Sequence, residues 1–219
     1  MNFFFLTSII ILSIFVLLAI SVSPRINEKS SLVAKDYSLF LTVNNLHYGL
    51  VLNELMIWMT LYGRDIVWIM VIVMFFIFGG WLGKKIAVTI GLSILVLTFL
   101  VPVIKNLVER PRPLVPQVDF LLAADKEYAF PSGHATIVAA GVAVVLELFR
   151  GSARRTFISI ILSIDAALVC ISRVYVRAHY PLYVLGGILL GIGVSFIFVG
   201  SIKYIELQLM VPIKRKLQG

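Results

Sequence analysis

The sequence predicts an all-α integral membrane protein: six transmembrane helices in a bundle, with one further helix at the outer interface before the second span. Three observations carry this. The chain is 60% hydrophobic and only 14% charged over 219 residues, with a mean hydropathy of +1.03, more apolar surface than a soluble core of that length buries. Apolar windows of span length, about 20 residues, fall at 3–22, 65–82, 86–104, 135–149, 157–172 and 182–202. None of these runs alternates with period two, and all are too long for strands.

The first window is read as a retained span. Met1-Asn2 offers no basic stretch before it, the run is too long for a signal peptide, and Pro24 hinders cleavage after Ser21-Val22-Ser23. Residues 23–44 are polar and read as an outer loop. Residues 46–62 carry Leu, Met, Trp and Tyr but are interrupted by Asn53, Glu54 and Thr60; they read as the interfacial helix rather than a seventh span. Gly63-Arg64 then breaks into the second span. Spans two and three form a hairpin through 79–85, and spans four and five form another. Span six opens with Pro181, suited to a first helical turn, and carries the small-xxx-small pair Gly187/Gly191, a close-packing signal. The single cysteine, Cys170, excludes an intramolecular disulfide and reads as a small core residue.

The net charge of +8 reflects loops and an anion site, not nucleic acid. Lys84-Lys85, Arg150 with Arg154-Arg155, and Lys214-Arg215-Lys216 fall on one side of a six-span chain. That side is cytoplasmic by the positive-inside rule. Both termini are then inside, in a cell membrane, and the connections 23–64, 105–134 and 173–181 face out.

Three outward segments carry unusual polar residues: 105–113 with Lys105, Arg110 and Arg112; Pro131-Ser132-Gly133-His134; and 172–179 with Ser172, Arg173, Arg177 and His179. Arginine suits bidentate contact with phosphate oxygens. Ser132 and Gly133 open a helix, whose N–H groups and dipole favour an anion. Two of the three histidines in the chain lie here, and histidine serves as nucleophile or general acid near neutral pH. A basic cradle, a helix N-terminus and two histidines make a phosphoryl-transfer site. No carboxylate cluster is available for Mg²⁺, so charge stabilisation falls to Lys and Arg.

The three segments together resemble the signature of the type 2 phosphatidic acid phosphatase (PAP2) superfamily, its membrane lipid phosphatase branch: Lys-x6-Arg-Pro, Pro-Ser-Gly-His, and Ser-Arg-x5-His-x3-Asp. Lys105, Arg112 and Pro113 match the first part, Pro131 to His134 the second, and Ser172, Arg173 and His179 the third. The resemblance implies a single membrane domain with its catalytic core over 105–191. It implies that His179 attacks phosphorus and forms a phosphohistidine, while His134 protonates the leaving oxygen. Lys105, Arg112, Ser132, Gly133 and Arg173 would hold the phosphoryl oxygens, with no metal or other cofactor. Arg110 and Arg177 lie outside the pattern and read as headgroup or substrate-tail charges.

One position departs from the pattern. Tyr183 stands where the family places the acid that orients the nucleophile. One helical turn separates it from His179, so it can face the imidazole, but a phenol supplies no charge. Asp165 sits deep in span five and reads mainly as a structural acid; Asp119, Asp125 and Glu127 are more reachable in principle but read as solvated loop residues. Glu147 is expected to pair with Arg150.

The expected function is hydrolysis of a lipid phosphate or diphosphate, of the polyprenyl diphosphate or phosphatidate type, drawn from membrane lipids at the outer face. A lipid-phosphate-binding protein weakened by Tyr183 is the alternative. A transporter ranks third, because the polar residues gather at one face and not near the midplane.

Overall fold

The computed structural model describes residues 3–27, 30–45, 49–113 and 128–217, with side chains through residue 206. Regular structure among the described residues is entirely helical: α1 (Phe3–Val22), α2 (Pro24–Asn27), α3 (Ser31–Asn44), α4 (Leu50–Tyr62), α5 (Asp65–Phe78), α6 (Gly80–Val108), α7 (Gly133–Leu148), α8 (Ala153–Tyr175) and α9 (Pro181–Leu217). Each apolar window of the sequence is essentially helical, although 65–82 runs past the end of α5 into the start of α6. By length and composition α1, α6, α8 and Pro181–Glu206 of α9 can each cross a membrane, and α4 with α5 makes a fifth candidate despite a 54° bend between them. Helix α7 is apolar but only 16 residues long.

Two stretches differ from the sequence expectation. Residues 23–44 are not an open loop but contain α2 and α3. Ser30 starts α3 by accepting a hydrogen bond from the Val33 N–H at 3.2 Å, a side-chain cap that offsets one of the four unpaired N–H groups of a first turn. Asp36 and Phe40, four residues apart, form its buried face; the polar composition is that of an amphipathic helix. Likewise 80–85 is helix: α5 stops at Gly79 and α6 begins at Gly80, whose φ of +58° makes the corner.

The stretch expected to be an interfacial helix is helical as α4 over 50–62; 46–48 lie outside the described residues. Its polar interruptions have a packing explanation. Asn53 accepts a hydrogen bond from the Tyr175 hydroxyl, and Thr60 bonds Ser172 at 2.6 Å. Both tie α4 to the end of α8.

Two apolar clusters build the interior. One joins α5, α6, α7 and α8 around Trp68 and Ile86. The other joins α1, α6 and α9 around Phe15, Phe130 and Tyr183. Helices α7 and α9 approach most closely at glycines. A Cβ on Gly191 would lie 2.2 Å from the Thr136 carbonyl oxygen, and one on Gly187 2.5 Å from that of Ser132. In lipid, where apolar burial gives no drive between helices, such backbone proximity is what packs them.

Charges pair at the end of the bundle opposite the histidines. Lys85 meets Glu206, and Glu147 meets both Arg150 and Lys203, so the expected Glu147–Arg150 pair forms.

Gly191→Ala should force α7 and α9 apart at Thr136 and cost about 1–3 kcal/mol of stability. Thermal unfolding in detergent should show a lowered midpoint; an unchanged midpoint would mean the contact is not tight.

Candidate active site

The site lies where α6, α7, α8 and α9 end on one side of the bundle. Helix α8 stops at Tyr175 and the chain folds back over its own last turn. The Ala178 and His179 N–H groups both donate to the Arg173 carbonyl oxygen, at 3.2 and 3.1 Å, and the Val176 N–H donates to that of Ser172. The reversal needs Arg177 in the left-handed region, φ +63°, a conformation costing a non-glycine residue about 1–2 kcal/mol. Neighbours hold it there: the Arg177 guanidinium donates to the Asn44 carbonyl oxygen at 3.1 Å, and the Asn44 side chain donates to that of Val174 at 3.2 Å. Helix α3, unforeseen as a helix, thereby clamps the turn that carries His179.

His179 ends up 2% exposed. Burial first, then the charges of Arg173 and Arg112, then His134 and Lys105, hold its imidazole well below the usual 6.5. Those four side chains, drawn from three separate stretches of sequence, are therefore close enough to act on one ring. Arg112 also donates to the Ala178 carbonyl oxygen at 3.0 Å, beside His179, and Arg173 is itself buried. The His179 Nδ1 atom is enclosed and has no hydrogen-bond partner, which leaves Nε2 as the nitrogen available for chemistry.

Ser132 occupies the N-cap position of α7, but its side chain makes no cap bond. Its Oγ is buried without a partner, while its N–H donates to the Tyr183 carbonyl oxygen at 3.0 Å. That backbone bond joins the Pro-Ser-Gly-His segment to the start of α9. A Cβ on Gly133 would make only an ordinary contact, 3.7 Å from Val101, so protein packing does not fill the space in front of it. A buried polar atom lacking a partner is costly, and a ligand oxygen would satisfy Ser132.

Tyr183 is fully buried but does not orient His179 as the sequence suggests. Its hydroxyl donates to the Pro111 carbonyl oxygen at 2.8 Å and accepts from Arg110 Nε at 3.0 Å. Its ring meets His179 edge-on, with centroids 6.1 Å apart. The longer side chain carries its oxygen past the imidazole. Arg110 is correspondingly 9% exposed, a structural residue and not a headgroup contact; Arg177 is likewise committed to the α3 clamp. Ser172 is also structural: its hydroxyl donates to the Val169 carbonyl oxygen at 2.7 Å, so Thr60 is the donor in their bond.

The acids are spread out. Asp165 lies beside Trp68 in the bundle interior. Asp119, Asp125 and Glu127 lie outside the described residues. Asp36 accepts from the Leu182 N–H at 2.9 Å, capping α9, and burial raises its pKa to about 6 against the lowering effects of that bond and of Arg110. Among the described residues no three His, Cys, Asp or Glu side chains gather as a metal-binding group.

Arg64 was missed. Its Nη1 lies 3.3 Å from His134 Nδ1, and Asp65 holds its Nε and Nη2. Arginine can only donate, so Nδ1 accepts and the His134 ring proton sits on Nε2. Gly63 allows this: a Cβ there would lie 2.6 Å from Val169, so the α4–α5 corner reaches the site only without a side chain. The sequence signal was the Gly63-Arg64-Asp65 interruption between apolar runs, which the span count treated as a mere boundary.

Residues 86–206 match the PAP2 superfamily. An undecaprenyl-diphosphatase from Sulfolobus acidocaldarius is 35% identical over 207 residues, 91% of this chain and 96% of that protein. A transmembrane PAP2-type phosphatidylglycerolphosphate phosphatase from Bacillus subtilis superposes with a TM-score of 0.70 at 27% identity, covering 90% of this chain and 96% of its own. LpxE of Aquifex aeolicus does so at 0.62 and 25%, covering 74% and 93%. The chain belongs to the PAP2 superfamily and is a membrane phosphatase of that type.

Two measurements test the geometry. Histidine ¹⁵N NMR should find the His179 ring still neutral at pH 6.5, where a free imidazole is half protonated; a midpoint at or above 6.5 would contradict its surroundings. Because the folded pKa is lowered, the unfolded chain takes up the proton first, and this contribution to stability is lost as pH falls below 6.5. Tyr183→Phe should cost about 1–3 kcal/mol in thermal stability, since Arg110 Nε is left buried without its acceptor.

Proposed function

We propose that the chain, a PAP2-type lipid phosphatase, removes the terminal phosphate of a polyprenyl diphosphate through a phosphohistidine at the outer face of the membrane. The observation that carries this is the buried His179 ring ringed by Arg173, Arg112, His134 and Lys105. A neutral imidazole inside a cationic shell is suited to attack a phosphorus whose oxygens those cations hold. The substrate class draws support from the near full-length similarity to an enzyme named undecaprenyl-diphosphatase.

The steps follow from the side chains. Lys105, Arg112 and Arg173, with the N–H groups and hydroxyl at Ser132 and Gly133, bind the terminal phosphoryl oxygens. His179 Nε2 attacks phosphorus, and the bond from phosphorus to the bridging oxygen breaks. The electron pair stays on that oxygen, to which His134, protonated at both ring nitrogens once the anionic substrate is bound, passes one proton. His134 then takes a proton from water, whose oxygen breaks the N–P bond and releases inorganic phosphate. The cations stabilise the charge that spreads over the transferring group. Tyr183 and Arg110 hold the loop that presents Arg112.

The proposed topology has six crossings: α1, α5, α6, α7, α8 and α9. Helices α3 and α4 lie at the outer surface and both termini are inside. Lys84, Lys85, Arg150, Arg154 and Arg155 lie at the end away from His179, which favours that end as cytoplasmic; the side chains of 214–216 lie outside the described residues. The binding-only alternative is not favoured, since the proteins that match over most of this chain are named as phosphatases.

Purified protein supplied with a polyprenyl diphosphate should release phosphate with chelator present, and His179→Ala should lower the rate at least about 10³-fold. Release from phosphatidate alone would transfer the substrate assignment to phospholipids. Undiminished release by His179→Ala would remove the phosphohistidine.

A further inference from the structure

Arg64 is the one cation beside His134 that the phosphoryl-binding pattern does not employ. It also lines a cleft of about 400 Å³ between α5, α6 and α7, together with Lys105 and Gly133. Beyond those three residues and Asp65, the cleft wall is largely apolar, including Trp68, Ile72 and Leu97. Arg64 is 27% exposed by its side chain, and Asp65 51%. Asp65 grips two of its nitrogens and turns Nη1 toward His134 and the cleft.

We infer that Arg64 is a second phosphate subsite, which binds the inner phosphate of a lipid diphosphate and so favours diphosphates over monophosphates. The inference rests on the reading of His179 as nucleophile and His134 as acid. When the terminal phosphate is on His179, the bridging oxygen faces His134. The inner phosphate begins one bond farther on, and Arg64 lines the same cleft as Lys105 and Gly133 of the phosphoryl site. The leaving group from a diphosphate is a phosphate monoester, which carries charge and accepts from a guanidinium. The leaving group from a lipid monophosphate is an alcohol, which gives Arg64 no charge to hold. The apolar remainder of the cleft continues from Arg64 in the direction an isoprenoid chain would take, so charge and tail are met in the order the substrate presents them. The contact with Nδ1 holds the Arg64 guanidinium beside His134.

The test compares kcat/KM for a polyprenyl diphosphate and for the polyprenyl monophosphate of the same chain length, in wild type, Arg64→Gln and Arg64→Lys. The ratio of diphosphate to monophosphate should fall at least about tenfold in Arg64→Gln, the scale of one lost charge-assisted hydrogen bond. Arg64→Lys, which keeps the charge without the fork, should fall in between and guards against a folding defect as the cause. A smaller fall in the ratio, with both substrates still cleaved, overturns the subsite alone and makes Arg64 a positioning residue for His134. A lysine variant no better than glutamine overturns the charge contact. Wild-type protein that cleaves the monophosphate yet leaves the diphosphate intact overturns the substrate reading and the subsite together.

Discussion

The approach of α7 to α9 at Gly187 and Gly191 is the constraint on which the site depends. The Ser132 carbonyl oxygen occupies the space a side chain at 187 would need, and the Ser132 N–H is spent on the Tyr183 carbonyl oxygen. Those contacts fix the first turn of α7 against the first turn of α9. His134 and His179, far apart in sequence, can then act on one another. Any wider spacing would separate the histidines and carry Ser132 away from the start of α9.

Burying cations demands an account of what tolerates them. Arg173, Arg110 and the Arg177 turn are each fixed by groups that were not part of the chemistry. Arg110 has the Tyr183 phenol and Arg177 the end of α3; the carbonyl oxygen of Arg173 takes two N–H groups from the returning chain. The Arg110 guanidinium thus meets a phenol and that of Arg177 a backbone oxygen. Such contacts fix the geometry around the site, as electrostatic preorganisation requires.

The sequence made the cationic cluster legible because its parts are short and locally spaced. Lys105, Arg112, Ser132–His134, Arg173 and His179 each stood out as polar residues at the end of an apolar run, and the helices they end are where the windows placed them. What escaped was set by tertiary contacts. Helix α3 looked like a loop because half its surface is polar, and only the burial of Asp36 and Phe40 reveals the face. Arg64 looked like punctuation because its meaning lies in a ring 70 positions away. Tyr183 was correctly marked as the departure from the pattern, but the direction of its hydroxyl depends on Arg110 and Pro111, which no helical-turn argument could supply. The start of α6 at Gly80 was hidden by Lys84-Lys85, which read as loop charges yet sit on a helix whose register the Gly79-Gly80 corner sets.

A phenol in the place of a carboxylate changes what position 183 does for the site. An acid at 183 would give the empty site an internal counter-charge. The Tyr183 hydroxyl, tied to a guanidinium and a carbonyl oxygen, is neutral and already engaged. Position 183 therefore brings no negative charge to His179. The residue at 183 serves the 110–111 loop instead of the imidazole, so a change there reaches the site through Arg110 and Pro111.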